Sequence, residues 1–255
     1  MKYIGLITVR LSSSRLPQKA LQTIGSARLI EHVIRRAKLS LKQGLSLVAI
    51  CTSTEKEDDA FEEIAKAEGV PCFRGSLKDK ILRWRDALRH FNADAMVAID
   101  ADDPFCDPEL IALAIKQMEE GNADVVTADG SEYVCGGFTH AIKLSVLEKI
   151  CESKGTDDTE MTKPYLIESG MFAVEKLKVP EIFKDTSVRL TLDYPEDLEF
   201  FKAIFEKMEI KENTVPLRDI LTFLANHPEL KEINIGRQTD FKANQKQSEQ
   251  LILKK

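Results

Sequence analysis

The sequence has no stretch of about 18 consecutive apolar residues, the length that a membrane-spanning helix requires. Its first residues contain a single lysine and a short apolar run, and no small-residue cleavage site follows them, unlike a secretory signal peptide. We therefore expect a protein that neither spans a membrane nor is exported by a classical signal.

Paired cysteines and an excess of positive charge are also missing. The chain has 5 cysteines, an odd number, and none of them forms a CxxC pair, which argues against a disulfide framework and a zinc site. The formal net charge is −6, so no chain-wide basic surface is available for nucleic acid or anionic membranes. These features predict a cytoplasmic protein that binds neither nucleic acid nor membranes.

Two common phosphate-binding motifs are absent. The sequence contains neither GxGxxG nor GxxxxGK[ST], so a dinucleotide-binding fold and a P-loop are both disfavoured. A phosphate site, if the chain has one, must come from another pattern.

The sequence does contain an alternation of short apolar and longer amphipathic segments. The apolar ones are rich in β-branched residues, as expected for parallel strands buried on both faces. They cover residues 3–9, 45–51, 70–73, 95–99 and 123–128, and a sixth covers 188–193. The amphipathic ones cover residues 29–42, 55–69, 78–91, 107–121, 195–209 and 217–227. This order predicts a three-layer α/β/α fold around a mostly parallel, doubly wound sheet.

The length of 255 residues allows one large domain, alone or with a small appendage. The alternation becomes irregular after Gly130 and resumes at Val188. We predict one domain over residues 1–212, followed by a helical appendage and a polar, Lys/Gln-rich tail over residues 213–255.

The stretch TVRLSSSRLPQKAL follows the first predicted strand. It brings Arg10, Arg15 and Lys19 close together in sequence, with the hydroxyl groups of Ser12 and Ser13 between them. Ligands of such folds lie beyond the carboxyl ends of parallel strands, where exposed loop N–H groups can face an anion. We predict a polyphosphate-binding loop; the alternative is a solvated turn in which cations cluster by chance.

The stretch AIDADDPFCDP follows the fourth predicted strand. The two-residue period places Asp100 and Asp102 on one face of the strand end. Paired carboxylates suit Mg²⁺, which is usually held by one or two of them together with substrate phosphates. Asp102 is the strongest candidate ligand, whereas Asp103 and Asp107 are interpreted as turn and helix-cap residues.

The stretch RLTLDYPEDLEFF forms a third constellation. Pro195 is typical of a helix start, and Glu196 and Asp197 in the first turn complement the helix dipole. We interpret these two acidic residues as structural. Asp193, at the end of the predicted strand, could instead meet Asp102 across the sheet and complete a metal site.

Together the three stretches resemble the signature of the CTP-dependent sugar nucleotidyltransferases, the cytidylyltransferase family that includes CMP-Kdo and CMP-sialic acid synthetases. That family opens with Ala-Arg, a small-residue pair and Arg-Leu-Pro-Gly-Lys, and DADDP and LDYPEDLE resemble its two metal-binding segments. The segments FRGSLKDKILRW and LANHPELKEIN are most similar to the branch of spore coat polysaccharide biosynthesis protein F. The resemblance covers residues 1–235.

This resemblance implies a nucleotidyltransferase fold related to the A-type glycosyltransferases. It also implies an enzyme that transfers CMP from CTP to a sugar or sugar acid and releases pyrophosphate, in surface polysaccharide or glycan biosynthesis. The implied cofactor is Mg²⁺, and the implied assembly is a homodimer, as is common in the family.

The resemblance further implies roles for individual residues. Arg10, Arg15 and Lys19 would grip the β- and γ-phosphates of CTP, and Asp102 and Asp193 would hold Mg²⁺. Within this set the catalytic candidates are Arg10, Lys19 and Asp102. The other nucleotide-binding candidates are Ser12, Ser13, Arg83 and Asp100.

The sequence departs from the family pattern at three places, of which Val9 in place of the usual Ala is a modest steric change. Gln18 stands where the family has Gly, so we expect the loop to lose its freedom to adopt a positive φ there. Thr139 stands in a segment where the spore coat branch tends to carry acidic residues, which leaves the acceptor open. His140 and Lys143 are candidate contacts to a sugar-acid carboxylate; the alternative is that both are surface residues.

Two other functions remain open from the sequence. A DxD motif at a strand end also occurs in A-type glycosyltransferases, which consume a nucleotide sugar, although the spacing of Arg10, Arg15 and Lys19 favours a free triphosphate. A nucleotide-binding partner without catalytic activity is the second alternative, because Gln18 and the Thr139 segment depart from the family.

Overall fold

The computed structural model describes residues 1–12, 16–128, 132–240 and 250–254. Its strands are β1 (Tyr3–Thr8), β2 (Thr23–Ile24), β3 (Ala27–Arg28), β4 (Leu45–Ser53), β5 (Cys72–Gly75), β6 (Ala95–Asp100), β7 (Val125–Thr127), β8 (His140–Lys143) and β9 (Val174–Lys176). β2 and β3 pair with each other, and the other seven strands form a central sheet.

The central sheet has the strand order β5-β4-β1-β6-β8-β7-β9. Neighbours from β5 to β6 are parallel, as are β7 and β9. β8 is antiparallel to both of its neighbours, so it alone among these seven strands is reversed. The mostly parallel α/β sheet predicted from the sequence is confirmed.

The helices flank this sheet on both sides. They are α1 (Leu29–Lys38), α2 (Ala60–Ala67), α3 (Lys80–His90), α4 (Pro108–Glu120), α5 (Leu144–Ser153), α6 (Lys163–Leu166), α7 (Pro195–Lys207), α8 (Leu217–Asn226) and α9 (Pro228–Lys231). Short 3₁₀ turns cover Lys19–Leu21, Leu39–Lys42, Lys56–Asp59 and Glu181–Lys184.

Apolar side chains fill both sides of the sheet. In β1, Ile4 and Leu6 pack with α3, α5 and α6, whereas Tyr3 and Ile7 pack with α1, α2, α4, α7 and α8. Each fully buried side chain of this kind contributes about 1.5–3 kcal/mol. Burial on both faces explains why the strands are continuous apolar runs in the sequence.

Aspartates fix the starts of two helices beside the carboxyl edge of the sheet. The Asp107 carboxylate accepts the N–H groups of Glu109 (2.9 Å) and Leu110 (3.2 Å), so it caps α4 as the sequence predicts. The Asp197 carboxylate accepts the N–H groups of Asp193 and Tyr194, both over 2.9 Å, at the start of α7. This contact agrees with the structural role inferred for Asp197.

The strand predicted over residues 188–193 is wrong. The segment is extended but forms only an isolated bridge within the described residues, between Cys135 and Arg189. Its N–H groups bond to loops instead of a strand: Leu190 donates to the Cys135 carbonyl (2.9 Å) and Leu192 to the Asp102 carbonyl (2.8 Å).

The middle of the chain contains elements that the sequence does not reveal. β8, α5, α6 and β9 lie in the region that appears irregular in sequence, and three of them have only three or four residues, too few for a periodic pattern. Beyond residue 213, α8 contributes Leu217, Ile220 and Leu224 to the same apolar cluster as α7. Within the described ranges, no helix is long and apolar enough to span a membrane.

Candidate active site

The candidate site lies at the carboxyl edge of two neighbouring parallel strands, β1 and β6. Their last residues, Thr8 and Asp100, are register partners. Ala101 then donates its N–H to the Thr8 carbonyl over 3.3 Å. The loop after β1 and the aspartates after β6 therefore start side by side, where ligands of α/β sheets bind.

Lys19 lies between two aspartates that are far apart in sequence. Its Nζ atom is 2.5 Å from Oδ2 of Asp102 and 2.8 Å from Oδ1 of Asp193. One cation of the opening loop thus bridges the two carboxylates that the sequence analysis selected as metal ligands.

The two aspartates are held in place by the backbone. The Leu192 N–H donates to the Asp102 carbonyl over 2.8 Å, which fastens the two segments together. Gly136 lies against the same extended segment, with φ +88°, and a Cβ atom there would be 2.2 Å from the Leu190 carbonyl oxygen. The position of Asp193 therefore depends on a glycine at residue 136.

A buried arginine binds the oxygen of Asp193 that does not contact Lys19. Arg189 donates from Nη2 to Oδ2 of Asp193 (3.2 Å) and from Nε to Oδ1 of Asp197 (3.0 Å). All three side chains are at most 1% exposed. Arg189 leaves Oδ1 of Asp193 directed to Lys19, so it orients this carboxylate toward the site.

The pKa values of the cluster reflect burial and mutual charge. Burial raises the pKa of Asp102, and Lys19 only partly opposes this effect. Burial also raises the pKa of Asp103 well above its usual range, with Asp102 as the next cause. For Lys19, burial lowers the pKa, but Asp102 and Asp193 outweigh it and the net pKa is raised. Lys19 is therefore a firmly protonated ammonium.

The two carboxylates fit the ligand set of a magnesium ion. Among the described residues, no group of three or more His, Cys, Asp or Glu side chains is arranged to hold a metal on its own. Mg²⁺ is usually held by one or two carboxylates plus substrate phosphates. The Lys19 ammonium, within 2.8 Å of both Asp102 and Asp193, already marks a cation position between them.

Arg10 occupies a different part of the site. Its Nη2 atom is 2.9 Å from Oε1 of Glu160, and its Nη1 atom donates to the Leu77 carbonyl over 3.4 Å. Ser12 is exposed in the same loop. Ser13 and Arg15, which the sequence analysis also assigned to nucleotide binding, lie outside the described residues.

Arg83 is buried beside Arg10. It donates from Nη1 to the carbonyls of Ser76 and Leu77, the latter over 3.1 Å, so the two arginines share the Leu77 carbonyl. Its Nε and Nη2 atoms have no hydrogen-bond partner within the ranges that the structure covers. Arg83 thus places a buried positive charge near the loop after β1.

Asp100 and His140 flank the other side of the cluster. Thr139 donates its hydroxyl to Oδ2 of Asp100 over 3.0 Å, and Lys80 lies 3.8 Å from Oδ1 of Asp100. His140 Nδ1 is 2.8 Å from the Thr127 hydroxyl. Burial lowers the pKa of His140 to about 4, so the imidazole is neutral and offers hydrogen bonds but no charge.

Lys143 is not brought to this cluster. β8 is antiparallel to β6, which pairs His140 with Ala98 near the carboxyl end of β6 and Lys143 with Ala95 at its start. Lys143 lies 3.1 Å from Asp124 at that far edge. Of the two proposed acceptor contacts, only His140 lies on the side of the site.

Gln18 corrects an expectation about the loop. The sequence predicts that replacing the family glycine removes the left-handed conformation, but Gln18 has φ 52° and ψ 34°. The loop therefore keeps this conformation with a non-glycine residue. Such a residue carries a conformational cost of about 1–2 kcal/mol.

Two residues near the site were missed by the sequence analysis. Glu160 lies in the irregular middle region, and no local pattern links it to Arg10. Arg189 stands within an apolar segment as a single cation, and a buried cation with two nearby aspartates could have been recognised as an ion-pair candidate from its spacing to Asp193 and Asp197.

Comparisons with known proteins show the family of this chain. Residues 4–220 match the family model described as Cytidylyltransferase. An uncharacterised protein of Methanocaldococcus jannaschii is 31% identical over 92% of this chain and 95% of its own length. Spore coat polysaccharide biosynthesis protein SpsF of Bacillus subtilis is 26% identical over 88% of this chain and 94% of its own.

A solved structure supports the same assignment. The structure of a cytidylyltransferase from Leptospira borgpetersenii superposes with a TM-score of 0.81 at 28% identity, covering 90% of this chain and 96% of that one. The nucleotidyltransferase fold expected from the sequence is thereby confirmed. The chain belongs to the cytidylyltransferase family and is a CTP-dependent nucleotidyltransferase.

Proposed function

We propose that this protein transfers CMP from CTP to a sugar or sugar acid, with Mg²⁺ as cofactor and pyrophosphate as the second product. Family membership supports the nucleotide, and the similarity to SpsF supports a role in surface polysaccharide or glycan biosynthesis. The observation that carries the proposal is the Lys19 ammonium between Asp102 and Asp193 at the carboxyl edge of the sheet.

The proposed reaction is a substitution at the α-phosphorus of CTP. An acceptor hydroxyl oxygen forms a bond to this phosphorus, and the bond from the phosphorus to the bridging oxygen of the β-phosphate breaks. The hydroxyl proton passes to water and pyrophosphate leaves. Such reactions need alignment and charge neutralisation, which fixed ionic side chains supply, and no protein nucleophile is required.

The chain offers cations that can bind the phosphates of the nucleotide and carboxylates that can hold the metal ion. Lys19 and Arg10 would bind the β- and γ-phosphates, with Arg15 as a further predicted contact. Asp102 and Asp193 would hold Mg²⁺, which when bound neutralises phosphate charge. Removing one such contact typically raises the barrier by about 3–4 kcal/mol.

Other residues are assigned to the nucleoside and the acceptor. Arg83 and Asp100, with Ser12 and Ser13 in the opening loop, are proposed to complete nucleotide binding. His140 is proposed to donate or accept hydrogen bonds at the acceptor, as a neutral imidazole. We no longer assign Lys143 to the acceptor, because its ion pair with Asp124 holds it at the other edge of β6.

A thermal-shift screen tests the nucleotide part of this proposal. Each nucleoside triphosphate is added with and without Mg²⁺, because a ligand that binds only the folded state raises the melting temperature. We expect the largest shift with CTP and Mg²⁺. A shift with another triphosphate but none with CTP would overturn the cytidylyl assignment, and a shift only with nucleotide sugars would favour an A-type glycosyltransferase.

Pyrophosphate release tests the catalytic part. The protein is incubated with CTP, Mg²⁺ and a panel of sugars and sugar acids, and pyrophosphate is measured by a coupled assay. Release that depends on one acceptor class is the expected result. Binding of CTP without release for any acceptor would favour a non-catalytic nucleotide-binding partner.

The remaining predictions concern location and assembly. The sequence predicts a cytoplasmic location and a domain boundary between residues 1–212 and 213–255. The family resemblance implies a homodimer. Light scattering after size-exclusion chromatography measures the mass of the assembly, and a monomer mass would contradict the dimer.

A further inference from the structure

We propose that the Lys19 ammonium is a built-in counter-ion that excludes divalent cations from the Asp102–Asp193 pair until a nucleotide arrives. The exclusion of metal concerns the protein without nucleotide. The release of Lys19 by the nucleotide rests on the proposed function. It adds an order of binding to that function, because the metal and the triphosphate would have to enter the site together.

The ammonium and a metal ion would compete for one position. Lys19 Nζ contacts one oxygen of each carboxylate, at 2.5 and 2.8 Å. Mg²⁺ binds carboxylate oxygens at about 2.0–2.1 Å. A cation held by the same two oxygens would therefore lie almost where the nitrogen is, so Lys19 must leave before it can bind.

The carboxylates are fixed, whereas the lysine can turn away. The Leu192–Asp102 backbone hydrogen bond joins the two aspartate segments, and Arg189 holds the second oxygen of Asp193. Lys19 reaches the pair through a flexible four-carbon stem, which can re-aim without a change in the backbone. Removal of the ammonium should therefore leave a formed two-carboxylate site.

A metal ion alone has little means to displace Lys19. Mg²⁺ loses its hydration water reluctantly and usually completes its ligand set with substrate phosphates. If the metal alone displaced Lys19, the ammonium would lose its ion pairs with both carboxylates and gain no new partner in exchange. A triphosphate removes both obstacles, because its oxygens can accept hydrogen bonds from the ammonium and can also complete the ligand set of the metal.

Titration with Mn²⁺ alone, followed by loss of the free-ion electron paramagnetic resonance signal, tests the exclusion. We expect no uptake by the wild-type protein at concentrations where Lys19→Met binds one ion. The affinity of Lys19→Met should exceed that of the wild type by about tenfold or more, within the usual range of coupling between competing ligands. Circular dichroism checks that the variant is folded.

Two further variants locate the effect. Arg10→Met removes a cation from the same loop that contacts Glu160 rather than the aspartates, so it should not gain Mn²⁺ binding. Lys19→Met combined with Asp102→Asn should lose the gained site. Equal gains in Arg10→Met and Lys19→Met, or no Mn²⁺ binding by Lys19→Met, would overturn the proposal.

The wild-type protein provides an independent test that needs no lysine variant. Uptake of one Mn²⁺ without nucleotide, abolished by Asp102→Asn, would overturn the proposal even if Lys19→Met failed to fold. Failure of the proposed function is a separate outcome: Lys19→Met would gain the Mn²⁺ site while the wild-type protein showed no thermal shift with CTP and Mg²⁺.

Discussion

Leu192 donates its backbone N–H to the backbone carbonyl of Asp102 over 2.8 Å. This bond joins two segments that are 90 residues apart in the chain, one after β6 and one before α7. It brings the segment of Asp193 to that of Asp102, and the Arg189 side chain then orients the Asp193 carboxylate. The backbone therefore places the two segments, and the side chains around the carboxylates can be tested one at a time.

Lys19→Ala and Asp102→Asn should each remove most turnover. Loss of one charge contact in the site is expected to lower kcat/KM by about 100-fold to 1,000-fold. Initial rates of pyrophosphate release with CTP measure this change. Lys42→Ala, at an exposed position away from the site, is the control. Full activity in Lys19→Ala would show that the site has been misplaced.

Arg189→Met should destabilise the protein strongly, because it removes the buried cation that pairs with both the Asp193 and the Asp197 carboxylates. The expected loss in the free energy of unfolding is about 3–5 kcal/mol, measured by urea denaturation. Arg237→Met is a matched control. Arg237 also pairs with two carboxylates but is 40% exposed, so its loss should cost less than about 1 kcal/mol.

Glu160→Gln should increase the affinity for CTP. The Glu160 carboxylate lies 2.9 Å from Arg10 and competes with phosphate for it. Because this pair is partly exposed, the gain should correspond to less than about 1 kcal/mol, a few-fold change in the dissociation constant. Isothermal titration calorimetry measures it. Glu168→Gln, which breaks the exposed pair with Lys163, should leave the affinity unchanged; a weaker affinity in Glu160→Gln would contradict the prediction.

Gln18→Gly should stabilise the protein slightly or leave it unchanged. The substitution relieves the left-handed strain of about 1 kcal/mol, and the added freedom of the unfolded chain offsets part of that gain. Gln22→Gly is the control, because Gln22 has φ −62° and gains no relief. It should lose about 0.5–1 kcal/mol. Equal losses in the two variants would contradict the strain at Gln18.

Because of His32, the free energy of unfolding should decrease at acidic pH. Burial lowers the pKa of this histidine below 6.5, its ordinary value. As the pH falls below that value, the unfolded chain binds a proton that the folded chain does not, so the free energy of unfolding decreases. Urea denaturation at pH 7.5 and 5.5 should show a smaller decrease in His32→Gln than in the wild type. His90→Gln, at an exposed position, should keep the wild-type decrease.

The sequence revealed the features that depend on residues near one another in the chain. Asp102 is the second residue after a buried strand, and Asp107 directly precedes a helix, so both positions could be predicted from local pattern. The placement of Lys143 could not, because it depends on the direction of β8, and a short apolar strand has the same pattern in either direction. Glu160 was missed for a related reason: only the fold of an irregular segment brings it to Arg10.

Predictions from local sequence were also wrong about the backbone conformation of two segments. The sequence predicts that Gln18 excludes a left-handed conformation, yet Gln18 adopts it in the turn before Lys19. The extended segment before Asp193 was predicted to be a strand because its composition is that of a strand, but its hydrogen bonds go to loops. For this segment, tertiary contacts decide the hydrogen-bond pattern.

Gly136 has an effect on sequence comparison within the family. Its backbone passes so close to Leu190 that a methyl group would push the two segments apart. A relative could therefore retain every ionic residue described above and still have a misaligned carboxylate pair if position 136 carries a side chain. Natural variants with alanine or serine at position 136 should therefore be grouped with variants that lack Asp102 or Asp193, although none of their charged residues has changed.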